Sequence, residues 1–216
     1  MLKESFELYS SSACLVLSGT DGSGKTTMAN ILTRITLNKR GSACIHWFRG
    51  SHLLAFILLR FLSSFRLLKG PCNPYYKVCI PSMLKPLWIH LEFWSLLPHV
   101  FVRFLLKRFC RFLVCDRGLL DFMVWIIVTL NHPAFLRSVY GKFLLRLALR
   151  EKSVYLYADL DTLVKRADVP REFIARELAV YNVLARYVSP CSIDTGSKGP
   201  LWVLGDVLRC LATRSP

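Results

Sequence analysis

From residue 19 the chain reads Gly19-Thr20-Asp21-Gly22-Ser23-Gly24-Lys25-Thr26-Thr27. Glycines at this spacing permit positive φ and close backbone approach, so that successive N–H groups can converge on one anion. Lys25 adds a mobile positive charge, and the Thr26 hydroxyl can ligate a divalent cation. An apolar run, Ala13–Ser18, enters the loop, and a helix-compatible stretch beginning at Lys25 leaves it, its positive dipole end facing the same anion. That setting makes the motif a phosphate-binding loop for a nucleoside triphosphate with Mg²⁺. The cofactor-binding set is therefore Gly19, Asp21, Gly22, Ser23, Gly24, Lys25, Thr26 and Thr27, with Lys25 also catalytic.

Two further constellations carry chemistry. An apolar run ends in Phe48-Arg49-Gly50, and another ends in Cys115-Asp116-Arg117-Gly118. Asp116 is where a strand would deliver a carboxylate beside the phosphate loop, so Thr26 and Asp116 form the expected metal set. Arg49 and Arg117 can grip a second phosphate in bidentate fashion. Farther on, Pro170 separates two helical segments and leaves a short hinge carrying Arg166, Asp168 and Arg171. Mobile arginines of this kind neutralise charge in phosphoryl transfer and exclude water, so Arg166 and Arg171 join Lys25 and Arg117 as catalytic candidates.

Strands are expected at Ala13–Ser18, Ala43–Phe48, Phe112–Cys115, Ser153–Ala158 and Cys191–Ile193. All but the last are short apolar runs without alternation, as befits strands covered on both faces. Helices are expected at Lys25–Leu37, His52–Leu68, Ser82–Arg108, Leu119–Leu130, Ala134–Leu149, Leu160–Lys165, Arg171–Tyr187 and Pro200–Leu211. Lys69–Pro81, with three prolines, reads as a loop. Strand–helix alternation predicts an α/β fold, the P-loop NTPase type: three α/β/α layers around a mostly parallel five-stranded sheet. One domain over residues 1–216, with a short lid near 165–172, accounts for the pattern. Ligands gather at the carboxyl ends of such strands, so the phosphate loop, Arg49, Asp116 and Arg117 should share one crevice.

Composition narrows the class. Of 216 residues, 53% are hydrophobic, and the mean hydropathy is +0.38. Yet Leu53–Leu68 is interrupted by Arg60 and Arg66, and Leu96–Val114 by four basic residues, so neither reads as a membrane span. The first twelve residues lack the apolar core of a signal peptide. Net charge is +15, with 14 Lys/Arg and one acid, Glu92, between Gly22 and Cys115. This bias suits nucleic acid, an anionic membrane surface, or an enzyme with two phosphorylated substrates. Eight cysteines show no CxxC and no zinc spacing, a pattern that fits a reducing cytoplasm, with disulfides left open for a hyperthermophile source.

With these residues in view, the chain resembles the thymidylate kinases of the nucleoside-monophosphate-kinase group. Ser18–Thr27 resembles that family's phosphate loop, including an acid at Asp21, and Cys115-Asp116-Arg117 resembles its Asp-Arg-Tyr motif. Val154–Asp161 is similar to its fourth strand and following turn, Arg166–Tyr181 to a shortened lid and the helix behind it, and Ile193–Gly196 to the loop flanking adenine. The resemblance implies ATP and Mg²⁺ as cofactors, with dTMP converted to dTDP. Small-molecule nucleotides are the implied partners, with no specific nucleic acid, and a homodimer is compatible with it. It implies that Asp21 meets the acceptor's sugar hydroxyl, Arg117 its phosphate, and that Asp194, Thr195 and Gly196 border the base. The chain departs from the family where Gly118 replaces tyrosine and Val124-Trp125-Ile126 replaces Ala-Tyr-Gln. Phe93 or Trp94 on the Ser82–Arg108 helix is the candidate to stack on a pyrimidine. Two alternatives stay open: a kinase of another small acceptor, and a non-catalytic nucleotide-binding protein at a membrane surface.

Overall fold

The computed structural model describes residues 13–40, 42–48, 50–151 and 153–212. Five strands, β1 (Ala13–Ser18), β2 (Ala43–Trp47), β3 (Phe112–Asp116), β4 (Val154–Tyr157) and β5 (Cys191–Asp194), form one sheet in the order β2-β3-β1-β4-β5. Every pairing is parallel. The helices are α1 (Lys25–Arg40), α2 (Leu53–Leu62), α3 (Lys85–Phe109), α4 (Leu119–Leu130), α5 (Val139–Glu151), α6 (Leu160–Arg166), α7 (Arg171–Val188) and α8 (Pro200–Ala212).

The absence of alternation in the strands follows from what covers them. On one face Leu15, Leu17, Val114, Val154 and Leu156 pack against Met28 and Leu32 of α1 and Val203, Leu204 and Val207 of α8. On the other face α4 lies innermost, with all of its residues buried, and packs with Tyr181 and Leu184 of α7 and with Phe93 and Leu96 of α3. The result is three α/β/α layers of the P-loop type. The central strand β1 has β3 on one side and β4 on the other. Register sets Leu17 beside Asp116 and Trp47 beside Asp116, so the ends of β1, β2 and β3 open onto one crevice.

Three expectations are corrected. The helix expected at His52–Leu68 ends at Leu62; a chain of backbone bonds through Ser63, Ser64 and Phe65 tightens it into a separate 3-10 turn at Arg66–Leu68. The helix expected from Ala134 starts at Val139, after a 3-10 turn at Pro133–Arg137 that exits in extended backbone at Ser138. The cysteines, read as reduced thiols, form three disulfides: Cys44–Cys110, Cys72–Cys79 and Cys191–Cys210. Sequence spacing hid them because the fold brings together cysteines as much as 66 residues apart. Cys14 and Cys115 remain as thiols on adjacent strands. Among the described residues Ser82–Phe109 is long and apolar enough to cross a membrane by length and composition, although its inward residues pack into the core.

Candidate active site

The loop between β1 and α1 wraps around its own lysine. Lys25 is buried, and its Nζ donates to the Thr20 carbonyl at 2.6 Å and to Ser23 Oγ at 3.3 Å. Burial, with Arg117 nearby, lowers its pKa to about 8. Gly19 (φ +151°) cannot be replaced without collision, since a Cβ there would sit 2.2 Å from the Leu156 carbonyl oxygen. The far side of the loop is pinned by Asp121 of α4. Its carboxylate accepts from Gly19 N at 3.2 Å, Gly118 N at 2.7 Å and Tyr181 Oη at 2.7 Å. Asp121 is an acid in the first turn of a largely apolar helix, and no sequence motif marks it for this role.

At the end of β3, Asp116 Oδ2 accepts from Thr26 Oγ1 at 2.5 Å. Its Oδ1 is buried with no hydrogen-bond partner among the described residues. A carboxylate with a spare buried oxygen beside a hydroxyl on the phosphate loop is a donor set that fits Mg²⁺. Arg117 follows at a positive φ of 76°, held by its N–H on the Leu17 carbonyl and by Arg103, which donates to its carbonyl at 3.0 Å. This turns its guanidinium back onto Asp21, with which it forms an ion pair. Burial would raise the Asp21 carboxyl, but Arg117 and Lys25 hold it below the usual range. The glycine that replaces the expected tyrosine at 118 has a physical reason. A Cβ there would lie 2.4 Å from Val16 and 2.7 Å from the Glu151 carboxylate, which caps α4 through Leu119 N.

Two cavities meet at these residues. The first, about 480 Å³, runs along Gly22, Gly24, Lys25 and Thr27 to Arg166, Thr195, Lys198 and Pro200. The second, about 740 Å³, is walled by Trp47, Phe48, Phe56, Tyr75, Tyr76 and Trp125, with Arg60 and Glu177 also lining it. Asp21, Thr26 and Arg117 border both. Arg166 donates to the Thr195 carbonyl at 3.2 Å, so it faces the first cavity. Arg171, expected as its companion, instead pairs with Asp161 at 2.8 Å on the surface, with both side chains more than half exposed. Asp194 and Gly196 are bonded to one another behind Thr195 and do not line the cavity. Arg49 lies outside the described residues.

Trp94 is exposed and lines neither cavity. Phe93 does not reach either. It stacks on Tyr140 of α5 at 4.3 Å and belongs to the core, because the phase of α3 turns it inward with Leu96. The aromatic wall comes instead from Trp47, Phe48 and Phe56, from Trp125 of α4 and from the 69–81 loop. Tyr75 sits 5.8 Å from Trp125, centroid to centroid, and its hydroxyl donates to Asp21 Oδ2. Trp125 Nε1 donates to Ser51 Oγ at 3.2 Å, and Ser51 donates in turn to buried Glu92 at 2.5 Å. Burial pushes Glu92 up to about 7; burial and the neighbouring Asp21 do the same to Glu177. Loop tyrosines have no periodicity, so the sequence offered no signal for them beyond their adjacency in Pro74-Tyr75-Tyr76.

No protein-family model and no curated protein sequence matches the chain. Solved structures do. A thymidylate kinase from Ehrlichia chaffeensis superposes with a TM-score of 0.53 at 14% identity, covering 92% of this chain and 97% of its own. A thymidylate kinase from Candida albicans gives 0.54 at 16%, over 93% and 91%. A shikimate kinase from Acinetobacter baumannii gives 0.50 at 13%, over 97% of both. The chain thus has the P-loop kinase fold along nearly its whole length.

Proposed function

We propose that the protein is an ATP-dependent kinase of a small phosphorylated acceptor, a pyrimidine nucleoside monophosphate, with dTMP + ATP ⇌ dTDP + ADP as its reaction. The observation that carries this reading is the junction of the two cavities at Asp21, Thr26 and Arg117. A triphosphate laid along the loop toward Thr195 would point its terminal phosphate at that junction, and an acceptor in the aromatic cavity would meet it there. Lys25 would leave the Thr20 carbonyl for the β/γ-phosphates, and Thr26 with Asp116 would hold Mg²⁺. Mg²⁺ held there would supply positive charge to offset that of the phosphates. Arg117 would take the acceptor phosphate and Arg166 would close from the other side, the 165–172 segment serving as the lid of a single kinase domain; Arg171 would join it only after releasing Asp161. Catalysis is positioning and charge neutralisation, without a covalent enzyme intermediate. The large, aromatic-walled second cavity supports a planar base as the acceptor's recognised part.

Purified protein with Mg-ATP and single acceptors (dTMP, dUMP, AMP, shikimate) should form ADP fastest with dTMP, with dUMP a measurable competitor. ADP formation with AMP or shikimate but neither pyrimidine would give the site to a different acceptor. Arg117→Ala should raise the acceptor KM far more than the ATP KM, at a cost of about 2–4 kcal/mol in kcat/KM. The reverse pattern would put Arg117 on the donor side.

A further inference from the structure

Glu92 is the one acid between Gly22 and Cys115, and the structure buries it to 1% exposure, bonded to Ser51 and Trp88. The surface that α2, α3 and the loop between them present is therefore apolar and basic, with no acidic side chain of its own exposed. Along α3 the outward stripe is Leu87, Trp94, Phe101 and Leu105, at 67, 56, 61 and 37% exposure. The spacing of seven, seven and four keeps these side chains on one face. Beside it α2 packs through Ala55, whose N–H donates to Ser95 Oγ, and turns Leu54, Ile57 and Phe61 outward. In the connecting loop Leu67 is 98% exposed. Arg60, Arg66 and Lys69, at and beyond the end of α2, and Lys107, Arg108 and Arg111, at and beyond the end of α3, are exposed as well. Exposed apolar side chains gathered on two packed helices mark an interaction site.

We propose that this face docks on an anionic lipid surface, with α3 lying in the interface and its basic flanks on the headgroups. Charge complementarity selects the occupant. A second copy joined through the same face would bring basic residues against basic residues with no acid to compensate them, whereas an anionic bilayer supplies both an apolar layer and negative charge. The helix lies on the membrane rather than crossing it. Its inward side is tied to the protein by Glu92, by Ser95 and by Arg103, which bonds Glu151 at 2.5 Å. Crossing would carry those polar groups into hydrocarbon.

Co-sedimentation of the full chain with vesicles tests this, using phosphatidylcholine alone against equal parts phosphatidylcholine and phosphatidylglycerol. Binding should be at least about tenfold tighter to the anionic vesicles and should weaken with salt. Trp94→Glu and Phe101→Glu should each reduce it by roughly tenfold, with the circular dichroism spectrum and ATP binding unchanged. Leu201→Glu and Trp202→Glu on the outward face of α8 remove equally exposed apolar groups and should leave vesicle binding intact. Absence of vesicle binding would overturn the proposal. So would equal loss in the α8 variants. A stable dimer broken by Trp94→Glu, with no vesicle binding in either form, would assign the face to a second copy and overturn it too.

Discussion

Lys25 and Asp21 are the residues on which the site turns, and each is engaged by a partner of this chain. Lys25 rests on the Thr20 carbonyl with its pKa lowered to about 8, so it is charged at neutral pH and neutral in alkali. Phosphate binding favours its charged form, so ATP affinity should weaken as pH rises past about 8, by up to about tenfold per pH unit. Titration of ATP binding from pH 7 to pH 9.5 reads this, and Lys25→Arg should flatten the dependence. An unchanged affinity in the wild type would show that Lys25 does not meet the phosphates. Asp21 is held by Arg117 and by the Tyr75 hydroxyl, which occupies one carboxylate oxygen where the second cavity begins. An acceptor hydroxyl that binds Asp21 from the second cavity would compete with Tyr75 for that oxygen. Tyr75→Phe should therefore lower the acceptor KM by about fivefold, the worth of one hydrogen bond, and leave the ATP KM unchanged. A raised acceptor KM would instead make the hydroxyl part of the acceptor's own binding.

Tyr75 is held in place by the 69–81 loop. Asn73 Oδ1 accepts from the backbone N–H of Tyr75 and Tyr76, Gly70 N bonds the Lys77 carbonyl, and Cys72–Cys79 closes the loop across a separation of 7. Cys72→Ser with Cys79→Ser should loosen this segment, losing about 2–3 kcal/mol of local constraint and changing the acceptor KM while the ATP KM holds. Kinetics of the double variant beside the wild type in reductant check it. The same segment shows where sequence reasoning stops. Strands β1, β2, β3 and β4 were legible within a residue or two because apolar runs without alternation and the glycine loop are local signals. So was the convergence of Asp116 and Arg117 on the phosphate loop, since strand ends in a parallel sheet share one edge. The individual side chains that wall the second cavity were not legible, although residues 53–111 supply several of them. Phe93 had the right chemistry, but helix phase and Tyr140 turn it into the core, while Tyr75 and Trp125 reach the cavity through a disulfide-closed loop and a buried helix. The pairing of Cys44 with Cys110 was likewise invisible, because tertiary contact and not spacing creates it.

Across the whole molecule, buried titratable groups set how stability responds to pH. His46 and His52, packed with His99 and Phe48, are held neutral; burial lowers them to about 4 and about 3. Unfolding lets each take up a proton below about pH 6.5, so each costs stability as pH falls, by up to about 1.4 kcal/mol per pH unit. Glu92 and Glu177, raised to about 7, act oppositely: their contribution is full below about pH 4.5 and is lost as pH climbs toward 7. The two pairs oppose one another between about pH 4.5 and 6.5. Stability measured by denaturant titration should be nearly flat there and fall below about pH 4.5, where the glutamates no longer oppose the histidines and Asp21, held low by Arg117, begins to add to the loss. His52→Phe should soften the acid fall. A steady loss beginning at pH 6.5 would show that the glutamates are not held protonated. The central claim, that the two cavities bring a donor triphosphate and an acceptor phosphate together, is tested most directly by following the γ-phosphate itself. With γ-labelled ATP, Mg²⁺ and dTMP, the label should appear in dTDP with the wild type and not with Lys25→Ala. Label released only as inorganic phosphate, at a rate indifferent to dTMP, would contradict the account.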